Sequence, residues 1–287
     1  MTVRSVLIGI TAGLVAAFLV TAGAAGDGGP SPGVALGWNG VAARDGTVRY
    51  VALPTPSGKE TAVAAVATRG GRVVRWGGLA GGWGIPMATF GGDAEGLSRD
   101  GRRLLLGGLA TVRPDTRVTR FALLATKTLR LQRVITLRGA FAYDAMSPDL
   151  RTLYLIRYLP GTADVRYEVR AYDLASGRLV PEPIVDRREP DEKMQGSPVA
   201  RATSADGRWA YTLYSRPGDP FVHALDTVGR RAVCVDLPWK NADEAIFKVR
   251  LGLEAAGRRL VLRQGGAGRL AIVDTTTWKV RSFRQPR

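Results

Sequence analysis

Apolar positions along this chain recur in short runs of five or six residues, each opened by a tight turn. Thr47 to Val51 follows Ala43-Arg44-Asp45-Gly46, and Arg102 to Leu106 follows Ser98-Arg99-Asp100-Gly101. Arg151 to Ile156 follows Ser147-Pro148-Asp149-Leu150, and Arg208 to Leu213 follows Ser204-Ala205-Asp206-Gly207. The fifth copy is Glu254-Ala255-Ala256-Gly257, then Arg258 to Leu262, with Ala256 in place of the turn Asp. Asp bonds its own backbone and Gly accepts a positive φ, so each phrase predicts a turn running into a strand. The turn positions 45, 100, 149, 206 and 256 stand 49 to 57 residues apart. A unit repeated at that period predicts a propeller or a solenoid, not a single catalytic core.

A second phrase accompanies the first. Each unit closes with an apolar strand, a polar turn and one more strand. The clearest copies are Tyr172-Asp173-Leu174-Ala175-Ser176-Gly177-Arg178-Leu179, Leu225-Asp226-Thr227-Val228-Gly229-Arg230-Arg231-Ala232 and Val273-Asp274-Thr275-Thr276-Thr277-Trp278-Lys279-Val280. Ala67 to Val74 and Leu124 to Leu129 are the other two. Asp at a strand end before a short turn signals a hairpin. Each unit thus reads as four antiparallel strands, a to d, which is one propeller blade.

The phrase of two or three apolar residues, Ser-x-Asp-Gly-Arg and an apolar run resembles the blades of WD40-like, YVTN-type and TolB-type β-propellers. It covers nearly all of the chain after Val34, without the Gly-His opening or Trp-Asp ending of true WD40 repeats. The resemblance implies an all-β fold of five four-stranded blades over residues 34–287, six or seven not being excluded. It implies no particular activity, because propellers host receptors, scaffolds, lactonases and dehydrogenases alike.

Residues 1–25 read differently. Arg4, an apolar run from Val6 to Val20 and the ending Ala22-Gly23-Ala24-Ala25 have the layout of a secretory signal peptide. An uncleaved anchor is the competing reading, since Val6 to Ala25 is 20 residues and could just span a bilayer. The small-x-small ending favours cleavage. Residues 26–33 form a Gly/Pro-rich linker. The expected location is secreted or in the cell envelope, with membrane contact only if the first segment stays attached. The one cysteine, Cys234, lies in an apolar strand and reads as an inert core thiol.

The formal net charge is +16, which suggests an acidic partner. It also fits plain composition bias, since only 6 of 41 basic residues are Lys. The arginines are scattered through strands and turns, not clustered, and with the export signal this speaks against nucleic acid. No metal is expected, because one His and one Cys supply no nitrogen or sulfur ligand set. The turn Asp residues read as turn formers. No cofactor is expected. Gly77 to Gly84 is rich in glycine, but Ile85-Pro86 and a strand follow, so a phosphate loop is not predicted.

Aligning the innermost strands is more informative. Four positions before the turn stand Val41, Gly96, Ala145, Ala202 and Gly252, four of the five being Gly or Ala, small enough for crowding at an axis. Five positions before it stand Gly40, Glu95, Asp144, Arg201 and Leu251, with Arg250 adjacent. Charges are depleted inside ordinary strands, so Glu95, Asp144, Arg201 and Arg250 are expected to converge near the axis, on the side of the interblade loops. They would form either an ion-pair hub or a ligand site. Trp83, Arg188 and Trp239 lie in those loops and are expected to form a binding rim. His223 aligns with Arg170 and Ala271 and is read as semi-exposed, a weak catalytic candidate beside Glu95 and Asp144. Three functions follow: a monomeric non-enzymatic module that binds a protein, a glycan or an anionic envelope polymer; a lactonase-like hydrolase with a funnel carboxylate as general base; and a TolB-like envelope assembly component. The first fits most of these features.

Mass spectrometry of the exported protein is expected to find a mature chain starting near Ala25 or Gly26. Retention of Met1 to Ala24 would establish an anchor.

Overall fold

A computed structural model describes residues 31–161, 165–191, 194–216, 218–240, 242 and 244–287. The expected signal segment, residues 1–25, lies outside them. The strands run β1 (Val34–Ala35), β2 (Gly37–Ala42), β3 (Val48–Pro54), β4 (Glu60–Ala67) and β5 (Val73–Ala80). There follow β6 (Trp83–Pro86), β7 (Arg103–Gly108), β8 (Val118–Ala125) and β9 (Arg130–Arg138). Next come β10 (Phe141–Met146), β11 (Thr152–Tyr158), β12 (Tyr167–Asp173) and β13 (Arg178–Leu179). The fourth set is β14 (Ser197–Thr203), β15 (Trp209–Ser215), β16 (Phe221–Asp226) and β17 (Arg231–Asp236). The fifth is β18 (Val249–Glu254), β19 (Arg259–Gln264), β20 (Gly268–Asp274) and β21 (Val280–Ser282). Five antiparallel sheets result, in the orders β2-β3-β4-β5, β6-β7-β8-β9, β10-β11-β12-β13, β14-β15-β16-β17 and β18-β19-β20-β21. The fold is a β-propeller with five blades. β1 adds a fifth strand to the inner edge of the second sheet, pairing with β6.

The repeated turns fold as their chemistry dictates. In the second blade Ser98 Oγ donates to Asp100 Oδ1 at 2.6 Å and accepts from the Arg103 amide at 2.9 Å, while the Arg102 amide donates to Asp100 Oδ1 at 2.9 Å. Ser147 with Asp149 and Ser204 with Asp206 repeat the pattern. The residue after each turn Asp takes a positive φ: 69° at Gly101 and 74° at Gly207, but also 57° at Leu150, where a side chain is strained. The second phrase locks onto the first. Hydroxyls of Thr126, Thr227 and Thr275 donate to the turn carbonyls of Gly101, Gly207 and Gly257 at 2.6, 3.0 and 2.8 Å. Each of these blades is therefore clasped at one end by its own two turns.

Apolar clusters join neighbouring blades in series. Tyr50, Val63 and Ala65 of the first blade pack on Trp83, Leu104 and Leu106 of the second. Leu105 and Phe121 meet Phe141, Leu153 and Leu155 of the third. Tyr154, Ile156 and Val169 meet Tyr214, Phe221 and Leu225 of the fourth. Val199, Val222 and Trp239 meet Leu260, Leu262 and Val273 of the fifth. Leu153-Tyr154-Leu155-Ile156 is a continuous apolar run because alternate residues are buried on opposite faces of the third sheet. Among the described residues no apolar cluster joins the fifth blade to the first; Val51, Ala64 and Val66 form a small cluster on the first blade alone.

Candidate functional site

The innermost strand of the second blade is interrupted. After β6 the chain leaves the sheet and returns at Glu95, whose amide donates to the Pro86 carbonyl at 2.9 Å. The excursion crosses the axis to the fourth blade. Amides of Phe90 and Gly91 donate to the carbonyls of Pro198 and Val199 at 2.9 and 3.1 Å. Asp93 Oδ2 accepts from the Arg201 amide at 3.0 Å and from the Thr89 hydroxyl at 2.5 Å. A side chain on Gly91 would meet the Val199 carbonyl at 2.5 Å, so only glycine passes there.

Beneath this crossing three of the four axial residues expected from the sequence come together. A β-bulge between Tyr143 and Ala145 leaves Asp144 as the extra residue of β10 and aims it at the fourth blade. Arg201 Nη2 pairs with Asp144 Oδ1, and its Nη1 donates to the Asp144 carbonyl at 2.5 Å. The same Nη1 lies 3.8 Å from Glu95 Oε2, which accepts from the Tyr143 hydroxyl at 3.1 Å. The side chains of Arg201 and Asp144 are each 3% exposed, and that of Glu95 is 25% exposed. Burial opposes the charge of Arg201, but Asp144 and Glu95 outweigh it and hold the guanidinium above its ordinary pKa. Burial pushes the Glu95 carboxyl upward, an effect that Arg201 and the Tyr143 hydrogen bond only partly offset. Burial and the Glu95 charge together hold the Tyr143 phenol well above its ordinary value. Among the described residues, Asp144 Oδ2 and Arg201 Nε have no hydrogen-bond partner.

Glu95 and Tyr143 border a cavity of about 200 Å³. Arg44, Arg99, Pro148 and Gly207 line it from the turns between the first two strands of four successive blades. Arg44 Nη2 donates to the Ala205 carbonyl at 3.1 Å, and Arg99 Nη1 reaches the same oxygen. The site therefore opens on the turn face. The sequence reading expects the opposite mouth, among the interblade loops; the axial crossing of residues 87–94 occupies that side.

Arg250 does not join the group. Its Nη1 donates to the carbonyls of Phe247 and Val249 at 3.0 and 2.9 Å at an exposed edge of the fifth sheet. Successive strand residues face opposite ways, and Leu251 takes the face toward the fourth blade. The expected rim is also corrected. Trp83 is 6% exposed, with Nε1 donating to the Ala80 carbonyl at 2.7 Å. Trp239 is 1% exposed and donates to Ser282 Oγ at 3.2 Å. Both indoles find an internal acceptor, so burial costs them no hydrogen bond. Arg188 is partly exposed, but it is tied to Asp186 at 2.6 Å and to the Cys234 carbonyl at 2.6 Å.

His223 is not semi-exposed: it is 1% exposed, and its aligned partners Arg170 and Ala271 are buried too. Their variety reflects different partners inside the interblade layer. Arg170 donates through Nη1 to Glu168 and through Nη2 to the carbonyls of Val180 and Pro181. His223 pairs across strands with Thr212 and Cys234, and Thr212 pairs with Arg201. These four residues form one polar row on the face of the fourth blade toward the third. Burial lowers the His223 pKa from 6.5 to about 4, with Asp144 opposing the fall. A small cavity of about 20 Å³ adjoins His223, Cys234 and Asp186. Sequence reasoning missed Tyr143, Asp93, Arg44 and Arg99. The last two share the position before the turn Asp in two successive phrases, a signal visible in the repeat.

No protein-family model matches the chain, and no curated protein matches it. Solved structures similar to it include β-propellers, at low identity. A β-propeller domain of Cps50 (Swd1) from Myceliophteria thermophila is 13% identical, with 90% of this chain and 70% of that one covered and a TM-score of 0.45. A putative 6-phosphogluconolactonase from Bacteroides uniformis is 13% identical over 81% of this chain and 65% of that one, TM-score 0.46. TolB from Acinetobacter baumannii is 15% identical over 82% and 56%, TM-score 0.38.

Replacing Arg201 by Met is expected to destabilise the protein by about 3 kcal/mol or more, because Asp144 is left buried and unpaired. Chemical denaturation measures this; a loss below about 1 kcal/mol would show that the pair is not buried in solution. His223 has a folded pKa below its unfolded value. Its neutral form therefore contributes stability in full above pH 6.5, and that contribution is lost as pH falls from 6.5 to about 4. The expected loss is on the order of 3 kcal/mol at pH 4, and His223→Gln should flatten the fall in thermal midpoint over that window.

Proposed function

We propose that this chain is an exported, non-enzymatic binding module whose partner engages the axial cavity from the turn face. The observation that carries the reading is the cavity of about 200 Å³ on the turn face, bordered by Arg44 and Arg99 from repeated turns and by Glu95 and Tyr143 from inner strands. Two guanidiniums favour an acidic group on the partner, and deeper in the Glu95 carboxyl supplies an acceptor, as does the Tyr143 hydroxyl, whose proton goes to Glu95. Asp144 and Arg201 are consumed by each other, so they act as support for Glu95 and Tyr143 rather than as ligands. A partner of this kind is a protein, a glycan or an anionic polymer of the envelope. The signal-like segment at residues 1–25 supports export.

One observation favours a second reading. Glu95 combines a raised pKa with an adjoining cavity, the two conditions for a general base in a lactonase-like hydrolase. The TolB-like reading rests on the repeat phrase alone.

A thermal-shift screen of sugars, lactones and anionic polymers separates the readings. The binding module is expected to be stabilised by a compound it does not consume. Arg44→Ala/Arg99→Ala and Glu95→Gln should each abolish that shift without lowering the midpoint of the free protein. A shift that survives both variants would overturn the site. Lactone turnover that falls 100-fold or more in Glu95→Gln would establish the hydrolase instead.

A further inference from the structure

The fifth sheet ends the series of blades, and the face it turns away from the fourth blade is built unlike the interblade faces. On β19, Leu260 and Leu262 pack on the fourth blade, while Arg259 and Arg263 point the other way and are exposed. Cross-strand register places Arg250 of β18 opposite Arg263 of β19, and Arg263 opposite Arg269 of β20. Three arginines thus form one row across three strands. Arg284 adjoins the end of the row, its Nε donating to the Arg269 carbonyl at 3.4 Å. Like charges directly opposite each other destabilise a sheet. Among the described residues one carboxylate touches the row: Glu254, which pairs with Arg263 and lies 3.1 Å from Arg269. Arg250 has carbonyl partners only. The side chains of Arg263 and Arg269 remain half exposed, at 46% and 51%.

We propose that this arginine row is a docking surface for a linear acidic polysaccharide. The arginines stand exposed in a row across three strands, so a single small anion engages only part of it. A chain of regularly spaced carboxylates gains from each guanidinium in turn and releases counterions as it binds. Guanidinium forks match carboxylates in geometry. The first blade, at the other end of the series, carries Trp76, which pairs with Ala64 and is 71% exposed. An exposed indole offers a flat apolar platform for a sugar ring, which an acidic polypeptide does not need. The proposal is independent of the axial cavity.

The test measures binding of polygalacturonate, with neutral dextran and polyglutamate as comparison probes, by calorimetry at several salt concentrations. Wild type should bind polygalacturonate in preference to both, with affinity falling steeply as salt rises. Arg263→Gln/Arg269→Gln should weaken binding at least tenfold and reduce the salt slope, and Arg250→Gln should weaken it with no change in thermal midpoint. Trp76→Ala should weaken polygalacturonate binding as well. Arg113→Gln/Arg117→Gln, an equal charge change in an exposed loop of the second blade, should leave it within twofold of wild type. Equal loss in that pair would reduce the effect to net charge and overturn the proposal. Equal or tighter binding of polyglutamate, or no binding of polygalacturonate at low salt, would overturn it too.

Discussion

The buried pairing of Arg201 with Asp144 is the constraint on which the axis of this propeller depends. Each charge would be costly alone in the interior, and each is paid for by the other. The guanidinium suits the task because its planar fork can serve several acceptors at once. Here it takes the Asp144 carboxylate and carbonyl and comes within 3.8 Å of Glu95. The three residues come from the second, third and fourth blades, and the Arg201 amide also holds Asp93 of the crossing segment. One residue, through its side chain and its amide, thereby coordinates a bulge, a loop and three sheets.

That arrangement decides which end of the axis is open. The crossing at residues 87–94 closes the loop side by backbone hydrogen bonds to β14. Glu95 is left at the boundary between the buried pair and the cavity on the turn face, where a quarter of its side chain is exposed. Its raised pKa follows from this position, since burial disfavours its charge and Arg201 is already engaged by a nearer carboxylate. The polar row from Arg201 through His223 to Cys234 extends the same layer outward, and its burial keeps the imidazole neutral.

The two ends of the blade series obey different rules from its middle. β11 is buried on both faces and reads as a continuous apolar run, whereas β19 holds a shorter buried run, Leu260 to Leu262, between exposed Arg259 and Arg263. In the fifth sheet the exposed positions concentrate positive charge, and in the first Trp76 is exposed.

The repeated turns, the four-strand unit and the number of blades were legible in the sequence, because Asp, Ser and Gly act within a few residues of themselves and the phrase recurs five times. Glu95, Asp144 and Arg201 were legible for a related reason: charge at a strand position that neighbouring repeats fill with small or apolar residues demands a partner. Arg250 was misplaced by one residue of register, which in a strand reverses the face. Trp83, Trp239 and His223 were read as exposed from their place in loops or from the variety of their aligned partners. Their burial depends on acceptors and neighbours contributed by other blades, or by distant parts of their own. The axial crossing, and with it the face on which the cavity opens, was decided only by the tertiary structure. It consists of backbone hydrogen bonds between segments about a hundred residues apart, and backbone groups are the same in every residue, so no side-chain pattern announces them.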